Sequence, residues 1–214
     1  MPDLLKGKGP DFEEKSSRKI LVHTCCCHCA AYTLLSFREQ SYDVTALWYN
    51  PNVHPFLEHE ARRQALVKLT GRFDFPLITV ECYDMPEYFR RIAGYEEERC
   101  IRCYEMRLAK TAEVAKAKSF DSFSSSLLIS PWQKHELIKE TGERIAAEKG
   151  IPFIYADLRK HYSDSRRITK PLGLYRQQYC GCLYSEWERF RDEKAKVESP
   201  LFEGDTVTEE NTKL

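Results

Sequence analysis

Strand-length apolar runs alternate along this chain with stretches whose apolar residues recur every three or four positions. KILVHT (19–24) is a short β-rich run, residues 30–40 have helical character, and DVTALWYN (43–50) is a second β-rich run, so the fold opens with a βαβ unit. The alternation continues with a helix over 56–70, a strand at 76–82, helices at 86–93 and 102–118, and a strand at 123–129. In the 102–118 helix, Leu108, Ala112 and Ala115 form one stripe while Lys110 and Glu113 lie on the far side, so one face packs inward. Ser130, Pro131 and Gln133 supply the cap, first-turn proline and returning side chain of a further helix, which Gly150 and Pro152 stop. A last strand, PFIYAD (152–157), leads into a basic segment, and beyond Trp187 and Phe190 a charged helix is expected. Strands and helices in this order predict an α/β fold, a parallel sheet with helices on both faces.

Length and composition add the organisation. A chain of 214 residues, 42% hydrophobic, buries one good core, so a single domain is expected over 19–190. The flanks differ: residues 1–18 mix Gly, Pro and charge without periodicity and read as a flexible arm, and 191–214 read as a charged, disordered tail. The sequence holds no internal repeat. No apolar run approaches the roughly 18 residues of a membrane-spanning helix, and the opening residues lack a signal-peptide core. A cytoplasmic location without a membrane partner is therefore expected.

The 33 basic and 33 acidic residues cancel, which gives no global attraction to nucleic acid. Their distribution says more. Arg159, Lys160, Arg166, Arg167, Lys170 and Arg176 face one acid, Asp164, in the same stretch, whereas 197–214 carry five acids and one Lys.

Nine cysteines in a chain without an export signal argue against a disulfide framework, because cytosolic thiols are kept reduced. Metal binding or redox catalysis is the better reading. HTCCCHC (23–29) sits where a strand ends and a helix begins, the ligand-binding edge of an open α/β sheet. Thiols at a helix N-terminus ionise more readily and so bind metal or attack disulfides. Cys100 and Cys103 head a strong helix at a spacing that lets two thiolates reach one metal or cluster. Cys180 and Cys182 flank Gly181, and such a pair is either a metal clamp or a reducible disulfide. Four thiolates suffice for a [4Fe–4S] cluster, with Cys₄ zinc as the rival. Cys27 and Cys82 read as bystanders, Cys82 as a small hydrophobe closing a strand.

These motifs together resemble the QueH-type epoxyqueuosine reductases across residues 19–187. The resemblance is carried by LVHTCC (21–26), YNPNVHP (49–55), RCIRCYEMRLAKTAE (99–113), SSSLLISPWQK (124–134) and GLYRQQYCGC (173–182). It implies a HUP-like (Rossmann-like) α/β fold, the layout of PP-loop ATP pyrophosphatases without their phosphate loop. It implies reduction of the epoxide of epoxyqueuosine to the alkene of queuosine at the wobble position of a tRNA anticodon. It places Cys25, Cys26, Cys100 and Cys103 on a [4Fe–4S] cluster and makes Cys180 and Cys182 a redox-active pair. Cys29 matches a position that in some relatives serves a second, mononuclear metal, here iron or zinc.

Opening an epoxide to an alkene and water takes two electrons and two protons, so an external electron donor is a required partner alongside tRNA bearing epoxyqueuosine. His23, His28, His54 and Tyr179 are candidate proton donors, the histidines with an equally good structural reading. The six cations of 159–176 are assigned to phosphate contacts, with Tyr162 or Tyr175 stacking on an unpaired base. Two other classes stay open at this point, a zinc-stabilised RNA-binding module and a protein thiol–disulfide oxidoreductase.

Overall fold

The computed structural model describes residues 17–80 and 83–191. Cys82, nearly all of the expected arm and the tail from 192 onward lie outside the described residues. Four strands, β1 (Lys19–His23), β2 (Asp43–Trp48), β3 (Leu77–Thr79) and β4 (Ser122–Ser125), form one sheet in the order β3-β2-β1-β4. All pairs are parallel, with Leu21 opposite Thr45 on one side and Phe123 on the other. This is the α/β layout expected from the sequence.

Alternation along β1 divides two cores. Leu21 joins Leu47 and Phe123 on one face, beneath α4 (Arg99–Ala117) and α5 (His135–Lys149). Ile20 and Val22 face the other way, onto α1 (Cys27–Glu39) and α2 (Phe56–Arg72). The stripe Cys27, Ala30, Ala31, Leu34 and Phe37 is the buried face of α1, and Leu108, Ala112 and Ala115 are the buried face of α4, as their spacing predicts. Three short helices complete the fold: α3 (Met85–Ile92), α6 (Tyr162–Thr169) and α7 (Leu183–Phe190). Among the described residues no helix is long and apolar enough to cross a membrane.

Several boundaries differ from the periodicity. The strand expected over 123–129 stops at Ser125, whose hydroxyl accepts from the Leu127 amide at 3.2 Å and turns the chain into a 3₁₀ helix, Ser126–Ile129. The helix expected from Ser130 starts at His135 instead. Ser130 accepts at its carbonyl from the Gln133 amide (3.3 Å) and binds the His135 ring (3.1 Å), and the Lys134 amide goes to the Tyr104 hydroxyl (3.2 Å). Tertiary partners thus hold this segment as a loop. The last strand is reduced to one bridge, Phe123 to Phe153, beside a proline that has no amide to donate. Gly150 ends α5 with φ 64°, as expected of a left-handed stop.

The Phe153 ring lies against α5 so closely that a Cβ on Gly142 would come within 2.4 Å of it. Gly142→Ala is expected to lower the unfolding midpoint in urea. Overpacking of about 1–3 kcal/mol outweighs the gain of about 1 kcal/mol in helix propensity. A variant more stable than the parent would show that the ring yields.

Candidate active site

The strand order reverses at β1, so the segments leaving β1 and β4 part there and open a crevice at the carboxyl edge of the sheet. Over it lies a cavity of about 1040 Å³. Six cysteines from three separate stretches line it: Cys25 and Cys29 from the start of α1, Cys100 and Cys103 from the first turn of α4, and Cys180 and Cys182 before α7. All eight described cysteines are free thiols.

Cys26 completes the first group. The sulfurs of Cys25, Cys26 and Cys29 lie within 4.8 Å of one another and are buried, a donor set that can hold a metal ion. Cys26 is the N-cap of α1, where its sulfur accepts from the Cys29 amide at 3.3 Å and from Gln177 Nε2 at 2.9 Å, with Cys25 Sγ 3.9 Å away. These bonds hold the Cys26 thiol well below the ordinary range, its neighbours Cys25 and Cys29 contributing most. The same contact pushes Cys25 up to about 11, and Cys29 is raised through Cys25 and Cys26. Cys27 points through to the other core, its thiol on the Tyr175 carbonyl, in keeping with a bystander.

Cys100 and Cys103 fall on one face because α4 begins at Arg99, three residues earlier than periodicity suggests. Burial raises both thiols, Cys103 to about 12. Beneath them lies Arg107, fully buried. Burial alone disfavours its cation, yet Cys103 and Cys180, with Tyr104 and Cys25, hold its pKa above the usual arginine value. A guanidinium placed among sulfurs is the counter-charge that an anionic metal–thiolate centre requires, so these residues fit such a group.

The Cys180–Cys182 segment is clamped by residues that sequence reasoning missed. Arg62, buried in α2, donates to Glu58 at 2.7 Å, to the Cys180 carbonyl at 2.8 Å and to the Tyr179 carbonyl at 3.0 Å. The Tyr175 hydroxyl binds the other oxygen of Glu58. The His54 amide donates to the Gly181 carbonyl (2.8 Å) and the Tyr179 hydroxyl to the His54 carbonyl (2.5 Å), so the YNPNVHP and YCGC motifs are direct partners. Gly181 has φ 144°, which favours glycine, and a Cβ there would press on Val53 at 3.0 Å and Asn52 at 3.1 Å, so those side chains would have to give. Cys182 caps α7 through its sulfur, as Cys26 caps α1. The signal in the sequence was the Glu58–Arg62 spacing, which on its own reads as a surface ion pair.

The remaining candidates separate. His23 is fully buried and bonds Ser125 Oγ, the Tyr49 carbonyl and Asn50 Oδ1, and burial brings its pKa down to about 4, which makes it a brace. His54 packs on Tyr88 and Phe89 and is likewise lowered to about 4 by burial. His28 and Tyr179 line the cavity. All six cations of 159–176 are exposed, but Arg166 and Arg176 alone among them line the cavity, while Arg159 pairs with Asp157 and Arg167 with Asp164. Tyr162 also lines it.

Arg62→Ala is expected to cost about 3–5 kcal/mol, because Glu58 is left charged and buried without its partner. It should also speed alkylation of the buried Cys182 thiol, followed by mass spectrometry under native conditions. Arg62→Lys should do both more weakly. Lost stability with unchanged Cys182 labelling would mean that the segment is held without this clamp.

Comparison with known proteins agrees with the arrangement. The family model described as epoxyqueuosine reductase QueH matches residues 20–188. An epoxyqueuosine reductase QueH of Dehalococcoides mccartyi is 53% identical over 172 residues, covering 80% of this chain and 94% of that protein. One from Thermotoga maritima is 32% identical over 187 residues, covering 83% and 95%. In fold alone, the chain is similar to a solved structure described as a predicted subunit of a tRNA methyltransferase from Methanocaldococcus jannaschii, with TM-score 0.51, 11% identity, and coverage of 72% of this chain and 76% of that one. The cysteine-lined cavity, the sheet that frames it and the matches over almost the whole described length place this chain in the QueH family of epoxyqueuosine reductases, which are oxidoreductases of queuosine biosynthesis.

Proposed function

We propose that this protein reduces the epoxide of epoxyqueuosine in the anticodon of tRNA to the alkene of queuosine, with a [4Fe–4S] cluster on Cys25, Cys26, Cys100 and Cys103. The observation that carries the reading is the convergence of six cysteines from three stretches on one cavity beside a buried guanidinium. The trio of Cys25, Cys26 and Cys29 supports a metal at this edge, and Cys29 is the residue assigned to a second, mononuclear iron or zinc.

Such a cluster, when bound, supplies electrons one at a time and an iron able to polarise an epoxide oxygen. The protein's own part is separate. Oxidation of the Cys180 and Cys182 thiols to a disulfide releases two electrons and two protons. These convert epoxide to alkene and water, and an external donor returns the disulfide to the dithiol. The Arg62 clamp keeps this pair at the cavity, and its exposed member, Cys180, is the point of access for the donor. Arg166 and Arg176 neutralise phosphates of the entering RNA.

The test is anaerobic incubation of reconstituted protein with reductant and epoxyqueuosine-containing tRNA, read by nucleoside mass analysis. Queuosine is the expected product, and its absence from a fully loaded protein would overturn the reading. Cys180→Ser and Cys182→Ser are expected to abolish turnover while retaining iron and visible absorbance, whereas Cys103→Ser loses both. Arg166→Ala with Arg176→Ala should weaken tRNA binding and flatten the slope of log Kd against log salt by roughly 1 to 2. An unchanged slope would remove these two residues from the phosphate path.

A further inference from the structure

The SPWQK segment, which begins no helix, presents an aromatic side chain to solvent. Trp132 lines the cavity and is 82% exposed, so it stands on the rim. Its backbone is nonetheless fixed. The Trp132 amide donates to Ser130 Oγ at 3.4 Å, and the next side chain, Gln133, accepts from Tyr104 at 2.9 Å and donates to Cys180 Sγ at 3.4 Å. Ser130 and His135 on either side are buried. A flat aromatic ring exposed at the rim of a cavity, on a backbone held on both sides, offers a face on which another ring can stack.

The surroundings select the partner. The cavity wall carries seven Lys or Arg side chains against one carboxylate, Glu188, which Arg99 already holds. The space, about 1040 Å³, accepts an entire nucleoside. A nucleotide drawn out of an anticodon loop into this space leaves the base next to it with one face unstacked, at the rim. A protein partner would instead call for an apolar anchor ringed by further apolar contacts, and the ring beside Trp132 is made of Gln133, Lys134 and the cations.

We propose that Trp132 stacks on the RNA base adjacent to the nucleotide held in the cavity and so sets how deep that nucleotide enters. This rests on the tRNA reading above and adds a substrate-binding residue that touches no sulfur centre. Stacking accounts for the need for an exposed flat ring, and the Gln133 link carries the position of that ring to Cys180.

The test uses the reconstituted holoenzyme and a synthetic anticodon stem-loop with the fluorescent base 2-aminopurine beside the modified position. Binding to the parent protein is expected to quench the fluorophore. Trp132→Ala should abolish the quenching and raise Kd by ~5- to 100-fold, with the salt slope unchanged because no phosphate contact is lost. Trp132→Phe should restore most of the affinity and Trp132→Leu should not, since a flat π face rather than bulk is needed. Iron content and the reaction of Cys180 with a small thiol reagent should not move in any variant. If Trp132→Ala binds the stem-loop as the parent does, stacking is refuted while the tRNA reading stands. If Trp132→Ala slows only re-reduction by a protein electron donor, the ring is a protein-docking residue and the proposal fails. If the parent holoenzyme binds no stem-loop, both fall together.

Discussion

A guanidinium shut away from water has to be matched donor for donor, and Arg62 is matched by one carboxylate and two backbone carbonyls of the segment that carries Cys180. Through that match a helix packed beneath the sheet fixes a loop above its edge. Glu58 is held in turn by Tyr175, so charge, loop and helix close on each other. A second buried cation, Arg107, lies on the cavity wall among sulfurs rather than carboxylates and donates to the Cys103 carbonyl of its own helix at 3.2 Å. The cavity is therefore framed by two positive charges whose burial is tolerable only while the cysteine-bearing segments stay in place. Position and charge of the thiols are set by one device.

Much of the scaffold was legible because periodicity reports burial, and burial is what a sheet covered by helices on both faces demands. The β1–α1–β2 opening and the inward stripe of α4 follow directly from it. Where polar side chains compete with the backbone, periodicity fails. The run SFSSSLLI has the composition of a strand end, yet Ser125 caps a turn instead. Ser130 has every local mark of a helix cap, but Tyr104 and His135 engage the segment first. Tyr104 lies thirty residues from Lys134, a distance at which spacing reveals nothing.

The site divides along similar lines. Cysteine is rare enough, and its clustering informative enough, that three thiol groups announced themselves. Strand order opens the crevice beside the end of β1, where the first group sits, and the start of α4 and the segment before α7 bring the other two groups to the same cavity. The grouping of Cys29 with Cys25 and Cys26 was legible in HTCCCHC, and the three sulfurs do meet, whereas the part of Gln177 beside Cys26 was not. Arg62 and Arg107 stayed hidden for a plainer reason. In FLEHEARRQ and CYEMRLAK they look like ordinary cations on amphipathic helices, and only tertiary packing reveals which arginine points inward.

The contact at Gly181 has a bearing on how such a chain can change over generations. The side chains of Asn52 and Val53 lie close over the bare α-carbon between the two thiols, so that even a methyl group there would need them to move aside. Neither side can drift alone: a larger residue in one stretch demands a retreat in the other, more than a hundred positions away in sequence. Substitutions in the two stretches are thereby coupled, since a side chain added between the sulfurs fits only as its neighbours give way.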